Sequence, residues 1–143
     1  MIYVGIDTGS HTGYAVWNRE EKALSEVTAV KIHQAMDRIK ELAEIYPKRE
    51  IFVRVEDPRQ RTWFGTERMT REEERKKLQG VGSVKRDASI WEDFLEDFGV
   101  KYEMVAPKRS ITKLTQDAFK RYTGWQNRTN EHSRDAAMLV FGF

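Results

Sequence analysis

Four side chains of this 143-residue chain stand where they could bind a metal ion together. Asp7 follows an apolar run near the N-terminus, and Glu56 ends a second apolar run. His132 precedes Asp135 by three residues, so that on a helix both side chains would lie on one face. Carboxylate oxygens are hard ligands that suit Mg²⁺ or Mn²⁺. The residue types therefore predict a metal site at Asp7, Glu56, His132 and Asp135.

The chemistry expected of such a site is hydrolysis of a phosphodiester. Two divalent ions about 4 Å apart can activate a water molecule and stabilise the leaving oxygen. Without a cation, three close carboxylates repel one another and one of them tends to take up a proton. Taken singly, the residues also fit simpler interpretations: Asp7 as a turn former, Asp135 as an acid favoured at a helix start, and His132 as a surface histidine. The joint pattern of their positions favours the metal site.

The periodicity of the apolar residues predicts the elements that must position these side chains. Strands are expected at residues 2–6, 14–17, 24–31, 51–56 and 102–105. Helices are expected at residues 32–46, 111–122 and 131–143, with another that starts after Gly80 and Gly82 and runs to about residue 98. Residues 59–79 are predicted to be an exposed loop with a helical turn around 70–78. The order βββαβαβαα predicts one α/β domain over residues 1–143, with a mixed five-stranded sheet flanked by helices.

This arrangement would assemble the predicted site. If the first and fourth strands are neighbours, Asp7 and Glu56 come to adjacent strand ends. The last helix would then lay His132 and Asp135 across those ends. We therefore expect the four side chains to meet at one edge of the sheet.

Composition limits the class of protein. The chain has no cysteine, which excludes disulfide bonds and thiolate metal sites and agrees with a reducing cytoplasm. No apolar run approaches the roughly 20 residues that a membrane-spanning helix needs, so no membrane partner is expected. The first seven residues reach a charge almost at once and are predicted to be a strand, not a signal peptide.

Charge is unevenly distributed, although the net charge is only +2. Residues 1–100 sum to about −2, whereas residues 101–128 sum to about +5. A basic segment beside a carboxylate-rich site indicates a polyanion surface, while ordinary charge asymmetry explains the composition equally well. The basic residues that flank the predicted cluster are Lys108, Arg109, Lys113, Lys120, Arg121 and Arg128. We predict that they contact a phosphate backbone and make binding salt-dependent.

Basic and aromatic residues lie close together in the segment after Glu56. Arg59, Arg61, Trp63 and Phe64 stand within six positions of one another. Such a mixture suits nucleic acid, because a ring can stack on an unpaired base while a guanidinium holds phosphate. The alternatives are that Trp63 and Phe64 anchor the loop on the core or form a dimer contact.

Several motifs together resemble one family. Gly-Ile-Asp-Thr-Gly at residues 5–9, followed by Thr-Gly-Tyr-Ala at residues 12–15, resembles the first motif of RuvC-type Holliday junction resolvases. Val55-Glu56 is similar in position to their second acid, and Glu-His-Ser-Arg-Asp-Ala-Ala at residues 131–137 resembles their closing motif. Gly80-Val81-Gly82 before the second helix also fits. The likeness covers nearly the whole chain and is greatest to compact phage and prophage members.

This resemblance implies an RNase H-like fold, a homodimer and Mg²⁺-dependent nicking of branched DNA. The metal and catalytic residues carried over are Asp7, Glu56, His132 and Asp135, and Lys108 and Lys113 fall where the family keeps basic residues near the scissile phosphate. A two-fold dimer would match the two symmetric strands of a four-way junction. We expect its interface on the second helix, which carries Trp91, Phe94 and Phe98.

Three other functions remain open at this point. A catalytically silent protein that binds branched DNA would use the same basic surface and aromatic loop. An RNase H-type nuclease acting on RNA–DNA hybrids would share the fold and the metal chemistry. Residues 7–13 also resemble the phosphate loop of sugar kinases and actin-like ATPases, but those proteins need a second domain, so no nucleotide cofactor is expected.

Overall fold

A computed structural model describes residues 1–61, 70–108 and 113–143 of the chain. The strands are β1 (Ile2–Asp7), β2 (Thr12–Asn18), β3 (Ala23–Val30), β4 (Ile51–Glu56) and β5 (Lys101–Val105). The helices are α1 (Ile32–Ile45), α2 (Arg71–Phe98), α3 (Gln116–Thr123) and α4 (Glu131–Met138), with 3₁₀ turns at Lys48–Glu50 and Pro58–Gln60. The elements follow one another as β1-β2-β3-α1-β4-α2-β5-α3-α4.

The five strands form one mixed sheet in the order β3-β2-β1-β4-β5. β1 pairs antiparallel with β2 and β2 with β3, whereas β4 runs parallel to both β1 and β5. The prediction of an α/β protein with a mixed five-stranded sheet flanked by helices is therefore confirmed. β1 and β4 are neighbours, so their carboxyl ends meet at the same edge of the sheet.

Alternation along the strands divides the side chains between two faces. Ile2, Val4 and Ile6 of β1 join a core with α1 and α2, whose largest buried member is Trp91. The opposite face carries Ala15 of β2, which packs with α3 and α4. Asp7 belongs to this second face, because it alternates with Ile6.

Helix α2 is longer than the sequence predicts. It begins at Arg71 and runs through Gly80 and Gly82. The helical turn expected around residues 70–78 is thus the start of α2, and the predictions of a loop up to residue 79 and of a helix start after Gly82 are wrong. Thr70 caps the helix, since its hydroxyl accepts from the backbone N–H of Glu73 while the Glu73 carboxylate accepts from the N–H of Thr70. The two glycines cost about 1 kcal/mol each in a helix, yet α2 runs through both of them.

Two other expectations need correction. Trp91 is fully buried within the chain, with Phe94 and Phe98 packed partly against the same core, so Trp91 cannot form a dimer interface. The last helix ends at Met138 and not near Phe143. In the described ranges, no helix combines the length and apolarity needed to cross a membrane.

Candidate functional site

Asp7 and Glu56 lie side by side at the carboxyl ends of two parallel strands. The register pairs Ile6 with Val55, so the next residue of each strand stands at the same edge and on the same face. The hydroxyl of Thr8 donates to the backbone oxygen of Glu56 at 3.2 Å, which ties the two strand ends together. The predicted meeting of these two acids is observed.

Two glycines allow α4 to approach the sheet closely. A Cβ atom on Gly13 would lie 2.0 Å from the backbone oxygen of His132, and one on Gly5 would lie 2.0 Å from that of Ala136. Gly13 is the β2 partner of Asp7 in the antiparallel ladder. The backbone of α4 therefore rests on β1 and β2 beside Asp7, at a distance that only glycine permits.

This close approach brings His132 and Asp135 to the strand ends. The Nδ1 atom of His132 is hydrogen-bonded to Oδ2 of Asp7 at 3.1 Å. Asp135 accepts from the ammonium of Lys113 at 3.1 Å, and the same ammonium donates to Glu131. Capping by Asn130 defines where α4 begins, since its side-chain oxygen accepts from the backbone N–H of Ser133 at 2.9 Å.

The acidic cluster changes the titration of its members. Burial raises the pKa of Asp7 to about 7; repulsion by Glu56 and Asp135 adds to this effect, and the hydrogen bond from His132 opposes it. Burial also raises the pKa of Glu56, with a further contribution from Asp135, while Lys113 acts to lower it. Both shifts have the same physical causes, which are partial desolvation and repulsion between neighbouring carboxylates.

Lys113 is the cation of this cluster. Its hydrogen bond to Glu131, together with the contact to Asp135, raises the pKa of the ammonium. The same ammonium holds the pKa of Glu131 below its usual range. Sequence analysis placed Lys113 near a phosphate, and the structure gives it two carboxylate partners on α4.

The cluster has the donor chemistry of a divalent cation site but not the arrangement of one. Among residues 1–61, 70–108 and 113–143, no three His, Asp or Glu side chains are positioned to hold one ion together. The carboxylates of Asp7, Glu56 and Asp135 nevertheless repel one another, and a cation between them would remove that repulsion. The donor atoms therefore suit Mg²⁺ or Mn²⁺ by type, while no three of these side chains are arranged around one position.

A cleft of about 900 Å³ opens over the cluster. Its acidic end contains Asp7, Glu56, His132 and Asp135, and the cations along it include Lys108, Lys113 and Arg121. Its apolar lining includes Ala118, Tyr122, Met138, Leu139 and Phe143. The sequence analysis did not single out Tyr122 as a site residue, because i, i+4 spacing from Ala118 marked it as core.

Arg54 is a second residue that sequence reasoning missed. It stands two positions before Glu56, and strand alternation puts it on the same face, where it lines the cleft. Its guanidinium donates to Glu103 at 3.2 Å and to the backbone oxygen of Leu139, and it lies 4.3 Å from the ring centroid of Phe143. Arg54 thus connects β4 and β5 to the segment after α4.

Arg59 is engaged within the chain. Its guanidinium donates to both oxygens of buried Asp57, at 2.8 and 2.9 Å, and to Ser89 and Glu92 of α2. Burial of Asp57 would favour its neutral form, but the hydrogen bonds from Arg59 and Gln60 hold the pKa of this carboxyl below its usual value. We therefore leave Arg59 out of the proposed DNA surface.

The other predicted DNA contacts have mixed positions. Trp63, Phe64 and Arg109 lie outside the described residues. Arg61 closes the 3₁₀ turn, where its backbone N–H donates to Pro58 at 3.2 Å. Two predicted DNA contacts lie on α3. Arg121 lines the cleft, whereas Lys120 is exposed and does not line it.

Comparison of the chain with protein-family models and with curated proteins yields no match. The fold and the geometry of the cleft are therefore the evidence on which a function can be argued.

Proposed function

We propose that this protein is a divalent-metal-dependent nuclease of the RNase H-like superfamily that nicks branched DNA, as its resemblance to RuvC-type resolvases implies. The observation that carries the proposal is the convergence of Asp7, Glu56, His132 and Asp135 at one end of a cleft that also contains cations. Repulsive acidic clusters beside a basic surface destabilise a protein unless a cation uses them, which supports a metal-dependent activity.

The side chains divide the work as follows. Asp7, Glu56 and Asp135 would hold the metal, and His132 orients Asp7 through its hydrogen bond. The bound ions would supply a Lewis acid and an activated water for phosphodiester hydrolysis. Three basic side chains line the cleft, namely Lys108, Lys113 and Arg121. They would hold the phosphates on either side of the cut, with the DNA strand following the cleft toward α3. A homodimer would offer two such clefts to the two strands of a four-way junction.

The decisive test measures cleavage and metal binding separately. Wild-type protein with Mg²⁺ or Mn²⁺ is incubated with labelled four-way junctions, flaps and RNA–DNA hybrids, beside Asp7→Asn. Asp37→Asn is the matched control, since Asp37 is an exposed carboxylate of α1. We expect wild type and Asp37→Asn to nick the junction and Asp7→Asn to lose cleavage. Intact junctions, flaps and hybrids after wild-type incubation would overturn the proposal.

One observation favours a second candidate, a catalytically silent protein that binds branched DNA. Lys113 already neutralises Asp135, and the described part of the chain has no group of three side chains arranged for a metal. Thermal unfolding in Mg²⁺ and in EDTA distinguishes the two candidates without an activity readout. If the protein is a nuclease, Mg²⁺ should raise its unfolding temperature, and Asp7→Asn should lose that increase. If it is a silent binder, it should unfold at the same temperature and bind junctions equally well in Mg²⁺ and in EDTA.

A further inference from the structure

The cleft has a second half that the metal chemistry does not use. Apart from the acidic residues, its walls include Ala118 and Tyr122 of α3, Met138 of α4, and Leu139 and Phe143 of the segment after α4. Three of these side chains are exposed large apolar groups: Tyr122 at 62%, Met138 at 38% and Phe143 at 41%. An apolar surface of this kind beside an ionic site indicates a ligand with both a charged and an apolar part.

The rings in this half of the cleft are supported from within the protein. Tyr122 lies 5.3 Å from Phe141, measured between ring centroids, and the two planes are tilted by 52°. Phe143 lies 5.7 Å from Tyr3 and carries the Arg54 guanidinium 4.3 Å from its centroid. A supported ring that remains exposed loses little freedom when a flat group stacks on it.

The spacing along α4 relates the two halves of the cleft. Met138 follows Asp135 by three residues, which is about 4.5 Å along a helix axis. Successive stacked bases of a DNA strand are about 3.4 Å apart. Met138 is therefore within about one nucleotide of Asp135 along α4, and Tyr122 lines the same cleft.

We propose that the apolar half of the cleft stacks an unpaired base next to the phosphate at the acidic end, with the ring of Tyr122 as the stacking surface. The substrate class is thus a DNA strand with an unpaired nucleotide, as at a branch point, and not a fully paired duplex. This inference rests on the proposed function, because the phosphate at the acidic end is that of the proposed nuclease substrate.

The charges of the cleft favour a nucleotide over another apolar occupant. Arg121 is adjacent to Tyr122 on α3, and Lys108 lines the same cleft beside Pro107. A basic groove with an aromatic platform is the combination by which proteins bind single-stranded nucleic acid. Because the apolar wall continues directly into the acidic end, one strand can contact both.

The test measures binding in Ca²⁺, which carboxylates also bind, and a gel checks that the probes stay intact. Two DNA probes are compared, one fully paired and one with two unpaired nucleotides, each carrying the fluorescent base 2-aminopurine at the same position. The variants are Tyr122→Ala, Tyr122→Phe and the control Ile45→Ala, which removes an exposed apolar side chain from α1. Tyr122 is 62% exposed, so these substitutions leave the core intact.

We expect wild type to bind the unpaired probe more tightly and to quench its 2-aminopurine. Tyr122→Ala should weaken this binding by about 5- to 150-fold and abolish the quenching, whereas Tyr122→Phe and Ile45→Ala should stay within about threefold of wild type. Wild-type affinity and quenching in Tyr122→Ala would overturn the inference. A dimer that dissociates in Tyr122→Ala with unchanged DNA binding would also overturn it, because the wall would then join two copies.

Cleavage of the same unpaired probe in Mg²⁺ separates this inference from the proposed function. If Asp7→Asn abolishes cutting while Tyr122→Ala binds as wild type, the nuclease stands and the stacking site is wrong. If nothing is cut but Tyr122→Ala loses affinity and quenching, the stacking site stands and the nuclease is wrong.

Discussion

Replacement of Gly13 by alanine should disrupt the site without removing any of its functional groups. The added Cβ would lie 2.0 Å from the backbone oxygen of His132, whereas ordinary contacts begin at 3.4 Å. Helix α4 must therefore move away from the sheet by about 1.4 Å or distort locally. Because the His132–Asp7 hydrogen bond is already 3.1 Å long, such a movement breaks it.

The expected cost follows from overpacking and from the lost alignment. Overpacking of this kind lowers the free energy of unfolding by about 1–3 kcal/mol, which at this chain length lowers the melting temperature by roughly 3–10 °C. Misplacement of a catalytic group by about 1 Å can lower activity on the order of 100-fold. We therefore expect Gly13→Ala to remain folded at 25 °C and to lose most of the proposed cleavage.

The assay compares Gly13→Ala with Gly82→Ala by urea unfolding and junction cleavage. Gly82 lies within α2, and a Cβ there meets no atom within 4 Å among the described residues. Alanine should keep or raise stability at Gly82 by up to about 1 kcal/mol, because glycine is a poor helix former. A Gly13→Ala protein that unfolds at the wild-type urea concentration and keeps its activity would refute the argument from close approach.

Three further predictions concern charge. The pKa of Asp7 is raised from 3.8 to about 7, so the folded state binds more protons than the unfolded state between these pH values. In EDTA the free energy of unfolding should therefore fall by on the order of 3 kcal/mol as pH rises from 4 to 8. The Asp7→Asn substitution should flatten this pH dependence. An equal slope in Asp7→Asn would contradict the assignment. Arg59→Ala should destabilise the protein by about 2–3 kcal/mol in urea unfolding, because it leaves buried Asp57 without its guanidinium, and DNA affinity should not change; lost affinity at unchanged stability would return Arg59 to the DNA surface. Lys113→Ala should let the pKa of Glu131 rise toward its usual value in a carboxyl NMR titration, and an unchanged titration would show that the ion pair does not form in solution.

The sequence alone was sufficient for the class of fold and for the acidic ends of two strands. Apolar periodicity distinguishes strands from helices locally, and an acid directly after a buried strand needs no tertiary contact to be noticed. The same local reasoning failed at α2, because Gly80 and Gly82 suggested a helix start. The capping box at Thr70 and Glu73 is a local signal that could have located the true start.

The partners of the charged residues could not be read in the same way. Arg59 and Lys113 are both basic residues beside predicted site segments, yet the fold pairs Arg59 with Asp57 and Glu92 and pairs Lys113 with two acids of α4. A pairing across 33 positions, as between Arg59 and Glu92, depends on how α2 packs against the end of β4. Spacing along the chain carries no information about that packing.

Asp7 illustrates the division between the two kinds of information. Its position at a strand end follows from residue types and local periodicity, which also predict a second acid at the end of β4. The pKa of about 7, the hydrogen bond from His132 and the apolar half of the cleft depend on α4 resting against Gly5 and Gly13. These properties arise only when distant segments are packed, because burial and charge repulsion are set by distances in space and not along the chain.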